Sequence, residues 1–383
     1  MTSPNPQASV PVPIAAQPAI SEHAIAPGHV VRGRGAWERA LPLLPALSQR
    51  PLLLGRSTAT APLRRRLLAD LEQIDLVAQP ALLQHDCCET DLEALQQTAR
   101  QAGCDAVIAV GGGKVLDAGK LLADRLSLPV VTVPTSAATC AGWTALANVY
   151  TADGAFLHDL ALARCPDLLV FDHTLVRQAP DRTLTSGIAD AMAKWYEASV
   201  SSGSSGDGLI QQAVQMARVL RDQLLLDAET ALQEPGSEAW VRVVEACGLT
   251  AGLIGGIGGA RCRTVAAHAV HNGLTQLPAC HGALHGEKVG FGILVQLRLE
   301  ELLGGSHLAG QARRQLLPFF QRLGLPCTLA ELGLARATVD ELEQACRFAM
   351  APGSDLHHLP FNVTGADLLA AMVSTTSGER QPA

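Results

Sequence analysis

Between residues 23 and 180 the chain alternates short apolar runs with longer stretches in which apolar positions recur at helical spacing. PLLL at 51–54, AVIAV at 106–110 and PVVTVPT at 129–135 read as buried parallel strands, each closed by Gly, Pro or a small polar residue. HVVRGRGAWERALPLL, beginning at His29, reads as an extended segment, a glycine turn and a helix. Helices are expected at about 62–71 and 91–102, with LVA at 76–78 as a strand between them, and AVIAVGGGKVLDAGKLLADRL carries a strand, three glycines and an amphipathic helix in succession. This alternation predicts a doubly wound parallel α/β sheet, whose ligands lie beyond the carboxyl ends of the strands. After about residue 180 the period becomes helical, broken by the glycine clusters SSGSSGDG and GLIGGIGGA. The expected organisation is an α/β nucleotide-binding domain over 23–180 followed by an all-α domain over 181–383. A tail over 1–22, rich in Pro, Ala, Ser and Gln, reads as disordered because it has little apolar surface to offset ordering entropy.

Composition narrows the functional classes. A chain of 383 residues is long enough for two cores, and a net charge of -7 offers nucleic acid no broad electrostatic attraction. There is no uninterrupted apolar run of the ~18–20 residues a membrane span needs, and no basic-then-apolar leader, so the expectation is a cytoplasmic protein with no membrane partner. The ten cysteines are scattered without CxxC pairs. Most of them read as small buried apolar residues, and the adjacent Cys87 and Cys88 read as structural too.

Three constellations carry candidate chemistry. Gly111, Gly112, Gly113 and Lys114 lie between strand and helix, where glycines let a backbone approach phosphate and the helix start favours negative charge. The alternative is an ordinary tight turn, since GGGK is not the GxGxxG fingerprint. Asp117, one turn on, either orients the loop or favours the helix start. HAVHNGLTQLPACHGALHGEKV supplies His268, His271, His281 and His285. His268 and His271 fall on one helical face, and His285 sits as if at a loop or helix start, a pattern suited to a metal or to satisfied core histidines. In SGIADAMAKWYEA, Asp190 reads as an N-cap or first-turn acid of a helix beginning at Ala191. Together with two histidines it would complete a three-ligand site with an open position, as catalytic metals use.

These segments resemble the iron-containing alcohol dehydrogenases, within them the glycerol dehydrogenase branch and its hydroxycarboxylate dehydrogenase relatives. The resemblance spans about residues 24–375 and rests on PGHVVRGRGA, AVGGGKVLDAGK, VPTSAATCAGWTALANVYTADGAF, GIADAMAKWYEA, AAHAVHNGL, LHGEKVGFGILVQL and GLPCTLAELGL. It implies the dehydroquinate synthase-like arrangement of a nucleotide-binding α/β domain and a helical metal-binding domain. It also implies a homo-oligomeric oxidoreductase with a small-molecule CH–OH substrate, a nicotinamide cofactor and one divalent metal, zinc or iron. The implied metal ligands are Asp190, His268 and His285, with His271 left as a pocket residue and candidate proton relay. Gly113 and Lys114 would contact the cofactor's pyrophosphate, Gly112 and Asp117 would belong to the same cofactor site, and Thr135, Thr139, Thr144, Leu146 and Tyr150 would lie around its nicotinamide side.

Two departures from glycerol dehydrogenases bear on the substrate. Cys140 in PTSAATCAG stands where the family's substrate loop carries a polyol-contacting aspartate, and Arg261, Cys262 and Arg263 replace a small, glycine-rich segment before the first histidine ligand. Cys140 and Arg263 are the expected substrate residues, and the added cations tilt the reading from a polyol toward a 2-hydroxy acid and its 2-oxo counterpart. Where relatives carry an aspartate after the first strand, the alignment places Arg56, beside Ser57. A guanidinium there suits the 2′-phosphate of NADP better than the ribose of NAD. Two rival readings are a lyase resembling dehydroquinate synthase, which would need a glutamate ligand and a cationic phosphate pocket, and a non-catalytic nucleotide-binding protein on the same scaffold.

Overall fold

The computed structural model describes residue 20 and residues 22–377, so the expected 1–22 tail lies outside the described residues apart from Ile20 and Glu22. The chain opens with β1 (His29–Gly33), α1 (Ala36–Ala40), β2 (Pro51–Gly55), α2 (Ala61–Glu72), β3 (Gln79–Leu82), α3 (Glu89–Ala102), β4 (Ala106–Gly111), α4 (Gly113–Leu126) and β5 (Val130–Pro134). A hairpin of β6 (Leu146–Tyr150) and β7 (Phe156–Ala161) follows, then β8 (Leu168–Asp172). All pairings in the six-stranded sheet are parallel, in the order β1-β8-β5-β4-β2-β3.

Both faces of the sheet are covered, which is why its central strands are apolar without alternation. Leu53, Ile108, Val110, Val131 and Val133 pack on one face with α1 and α2, while Leu52, Leu54 and Val107 pack on the other with α3, α4 and the hairpin. From β2 the chain winds outward to β3, then crosses back to β4 and continues the opposite way through β5 and β8. The loops after β2 and β4 therefore open on one crevice, the place where such sheets bind ligands.

Two expectations within this half need correction. LVA at 76–78 is a connection: Leu76 is buried but Val77 is exposed, and pairing with β2 begins at Gln79. The edge position lets β3 hold Pro80, which donates no ladder hydrogen bond. The sequence pattern assigned no strand between 135 and 180, where the structure has three. The hairpin escapes the pattern because one side of β7 faces solvent, whereas β8 is a fully buried apolar run of the same kind as β4.

From Asp181 onward the regular elements are helical: α6 (Asp181–Ser202), preceded by the short α5 (His173–Val176), then α7 (Gly208–Gln233), α8 (Glu238–Glu245), α9 (Ala251–Gly258), α10 (Ala266–Leu274), α11 (His285–Leu302), α12 (His307–Arg322), α13 (Val339–Ala349) and α14 (Gly365–Val373). GLIGGIGGA proves helical as far as Gly258, and only Gly259 takes a left-handed φ, of 67°. The stretch Glu238–Gly258 is long and apolar enough to cross a membrane by composition, but it is mostly buried and packs on α7.

Asp190 is not a helix-start residue. Helix α6 begins nine residues earlier, after Pro180, and places Asp190 in its middle. The close crossing of α6, α10 and α11 depends on missing side chains: a Cβ on Gly286 would lie 1.7 Å from Ser186 O, and one on Gly292 would lie 2.3 Å from Ala267 O. These two glycines bring the amino end of α11 against α6 and its body against α10.

Candidate active site

That crossing gathers Asp190 from α6, His268 from α10 and His285 from the first position of α11. Asp190 Oδ1 lies 3.3 Å from His268 Nε2 and 3.5 Å from His285 Nε2. One ligand atom from each of the three residues falls within 4.8 Å of the other two. Asp190 Oδ1 is buried and makes no hydrogen bond among the described residues. A buried carboxylate oxygen left unpaired is costly, and the donor set of two imidazoles and one carboxylate is that of a catalytic divalent metal site.

The hydrogen bonds behind the histidines prepare the same result. Glu197, fully buried on α6, accepts from His268 Nδ1 at 2.6 Å, from the His268 backbone N–H at 3.0 Å and from Val265 N–H at 2.7 Å. With the proton of His268 on Nδ1, its Nε2 lone pair faces Asp190. His285 Nδ1 lies 3.0 Å from His271 Nε2, and His271 Nδ1 lies 2.8 Å from Asn272 Oδ1. With Asn272 Oδ1 as the terminal acceptor, each ring donates through Nδ1, and the Nε2 of His285 is also left as a lone pair.

The titration behaviour agrees with a cation site. Burial alone would raise Asp190, but Lys194 and the two imidazoles hold it well below the usual carboxylate range. Burial alone would lower His268, but the Glu197 and Asp190 carboxylates carry it up to about 9. Those carboxylates favour positive charge at His268 Nε2, whether a proton or a metal ion supplies it. Burial and, for His271, the neighbouring His285 hold His271 and His285 below the ordinary imidazole value.

Two cavities meet at this centre. The first, of about 330 Å³, is the crevice at the strand ends and is lined by the Gly111–Lys114 loop, Thr135, Thr139, Tyr150 and Arg56. The second, of about 310 Å³, is lined by Asp190, His268 and His285 with Cys140, Lys194 and Arg263. Asp117, Thr139, Ala141, Asn148 and His285 line both. Of the residues expected at the cofactor, Arg56, Gly112, Gly113, Lys114, Asp117, Thr135, Thr139 and Tyr150 lie on the first cavity, while Thr144 and Leu146 lie on the second. Cys140 and Arg263, expected at the substrate, both line the second cavity, and burial pushes the Cys140 thiol up to about 11, so it remains protonated.

His271, expected as a pocket residue and candidate relay, is buried and lines neither cavity, and its Nε2 lies behind His285, 3.0 Å from Nδ1. His281 is also apart from the centre, with Nε2 2.9 Å from Thr275 O. Arg56 reaches the mouth of the crevice, but its guanidinium is ion-paired at 2.6 Å with Asp86, which also holds Lys114. Cys88 belongs to a second group of potential ligands with His85 and Asp91. There Asp91 is committed to the backbone N–H of Gln84 and His85, at 2.6 and 2.8 Å, ahead of α3.

Several residues of the site carry no motif signal of their own. Glu197, Lys194 and Asp190 share one face of α6 at a spacing of four and seven residues, which a helix drawn from Asp181 would have exposed. Lys120 is buried beside Asp117 at 3.0 Å and donates to Thr144 O at 3.0 Å and to Leu146 O, tying α4 to the loop between the cavities. Asn148 donates its backbone N–H to Asp117.

Comparison with known proteins places the chain in a family. Residues 27–173 match the family model described as iron-containing alcohol dehydrogenase. The chain is 60% identical, over 77% of each sequence, to an uncharacterized oxidoreductase of Synechocystis sp.. It is 38% identical to hydroxycarboxylate dehydrogenase A of Escherichia coli, over 78% of this chain and 82% of that one. The crystal structure of glycerol dehydrogenase from Schizosaccharomyces pombe superposes with a TM-score of 0.81 at 27% identity, covering 94% of this chain and 91% of that one.

Proposed function

This chain belongs to the iron-containing alcohol dehydrogenase family, and from that premise we propose that it is a metal-dependent, nicotinamide-linked dehydrogenase of a small polyol or 2-hydroxy acid. The observation that carries the reading is the buried, unpaired Asp190 Oδ1, faced by two imidazole Nε2 atoms on a wall next to the glycine-loop crevice. Asp190, His268 and His285 would hold the divalent ion, and this donor set suits zinc or iron alike. When bound, the ion supplies Lewis acidity at the substrate oxygen and the nicotinamide carries the hydride.

The chain's own contribution is position. Glu197 and His271 lock the two ligand rings, Lys120 fixes Thr144 and the start of β6 at Leu146, and the residues common to both cavities set substrate and cofactor side by side. Gly112 supports the pyrophosphate reading: a Cβ there would meet only Ser136 Oγ, at 3.9 Å, so the backbone is open to the crevice. For the cofactor we favour NADP(H). Arg56 follows β2 at the strand reversal and remains 39% exposed, and Asp86 holds the guanidinium while leaving other N–H groups free for a phosphate.

The test is absorbance at 340 nm with metal-loaded protein, both cofactors, and glycerol, propane-1,2-diol and lactate as reductants. Nicotinamide reduction by at least one of them, abolished by chelation and restored by metal, is expected. No turnover of any of the three by loaded protein would overturn the proposal.

A further inference from the structure

The second cavity carries a charge that a neutral polyol does not need. Lys194 is 3% exposed, on the cavity wall one helical turn beyond Asp190. Of the three hydrogens on its ammonium, one is used at 3.3 Å by the backbone oxygen of Arg263, and Asp190 Oδ1 stands 3.9 Å away. Arg263 lies on the same wall; among the described residues its buried Nε has no hydrogen-bond partner, and the half-exposed Asp159 stands 3.8 Å from its guanidinium. The remaining acids of the cavity do not answer these cations: Asp117 is matched by Lys120 at 3.0 Å, and burial pushes the Asp355 carboxyl up, toward its neutral form.

Resting on the dehydrogenase reading above, we infer that Lys194, with Arg263, is the residue that selects the substrate, and that it does so by binding a carboxylate on the carbon next to the reacting one. Asp190 faces Lys194 but is a ligand of the proposed metal site, so a buried ammonium with unused hydrogens is stabilised by a ligand that brings a further negative charge. Its place one turn from Asp190 fits a 2-hydroxy acid, in which carboxylate and reacting oxygen sit on adjacent carbons. Oxidation of such an acid gives the 2-oxo acid, the hydride passing to the nicotinamide and one proton leaving to solvent.

Matched substrates isolate the carboxylate. Lactate and propane-1,2-diol differ only in carboxylate against hydroxymethyl, as do pyruvate and hydroxyacetone in the reverse direction. For the wild-type holoenzyme, kcat/KM should favour the acid of each pair. The Lys194→Met variant should lower the acid-to-diol ratio by about ten- to a hundredfold, the usual worth of a hydrogen bond to a charged group. Calorimetry with oxamate, an isostere of pyruvate, should show the same loss of affinity in Lys194→Met and a smaller one in Arg263→Ala. Preference of the wild type for propane-1,2-diol and hydroxyacetone would overturn the inference while leaving the dehydrogenase reading intact. A Lys194→Met variant that retains wild-type affinity for oxamate would also overturn it. Absence of turnover for all four compounds would instead tell against the dehydrogenase reading.

Discussion

Replacing Glu197 by Gln tests how the metal centre is held. The carboxylate accepts three hydrogen bonds: two backbone N–H groups on Oε1, at 2.7 and 3.0 Å, and His268 Nδ1 on Oε2, at 2.6 Å. A glutamine retains one oxygen, which the two backbone groups occupy, and turns an NH₂ donor toward His268 Nδ1. The imidazole then has to accept at Nδ1 and carry its proton on Nε2, directed at Asp190, where a ligand lone pair is required. Partners behind metal-bound histidines contribute about 10–100-fold in metal affinity, which corresponds to about 1.4–2.7 kcal/mol. The change in tautomer places E197Q at the upper end of that range. The assay is competition for the metal by a chromophoric chelator, with circular dichroism of the metal-free protein to establish that E197Q is folded. Unchanged metal affinity in a folded E197Q protein would refute the tautomer argument.

Two further outcomes follow from the same structure. Arg56→Ala should lower the ratio of kcat/KM for NADP(H) to that for NAD(H) by about tenfold or more, the worth of a charge-assisted hydrogen bond, and a ratio unmoved by the substitution would remove Arg56 from cofactor selection. Burial lifts Glu300 to about 7, only partly opposed by the hydrogen bond from Gln296, so it folds most favourably when protonated. The wild type should therefore lose stability relative to Glu300→Gln as pH rises from about 4.5 through about 7, by about 3 kcal/mol in all, read from urea unfolding at pH 5 and pH 8.

How much of this was legible in the sequence varies with the range of the interaction. Strands β2, β4 and β5 and the glycine loop are local features, since an apolar run closed by Gly or Pro declares a buried parallel strand by itself. Edge strand β3 and the β6–β7 hairpin pack on one side only, and their mixed polarity hides them. Glycine misleads where it serves packing instead of turning: the cluster ahead of Gly259 reads as a break, but lies inside a helix whose neighbours approach too closely for a Cβ. The start of α6 is misplaced, and Asp190 with it, because the small residues just before Asp190 carry no apolar period to mark the turns that begin at Asp181. The triad was recoverable by likeness to a family, whereas Glu197 and Asp86 acquire their roles from partners 71 and 28–30 residues away, which no local pattern records.

The measurement that bears most directly on the central claim is metal stoichiometry in wild type and in single Ala variants of Asp190, His268 and His285, each titrated in parallel with reduced nicotinamide by fluorescence. The wild type should bind one divalent ion per chain at the triad. Each variant should lose that ion and all turnover while still binding the nucleotide, because the glycine-loop crevice is built from the parallel sheet and not from the three ligands. Full metal occupancy in a His268→Ala, His285→Ala double variant, or near-normal turnover without metal, would contradict the account.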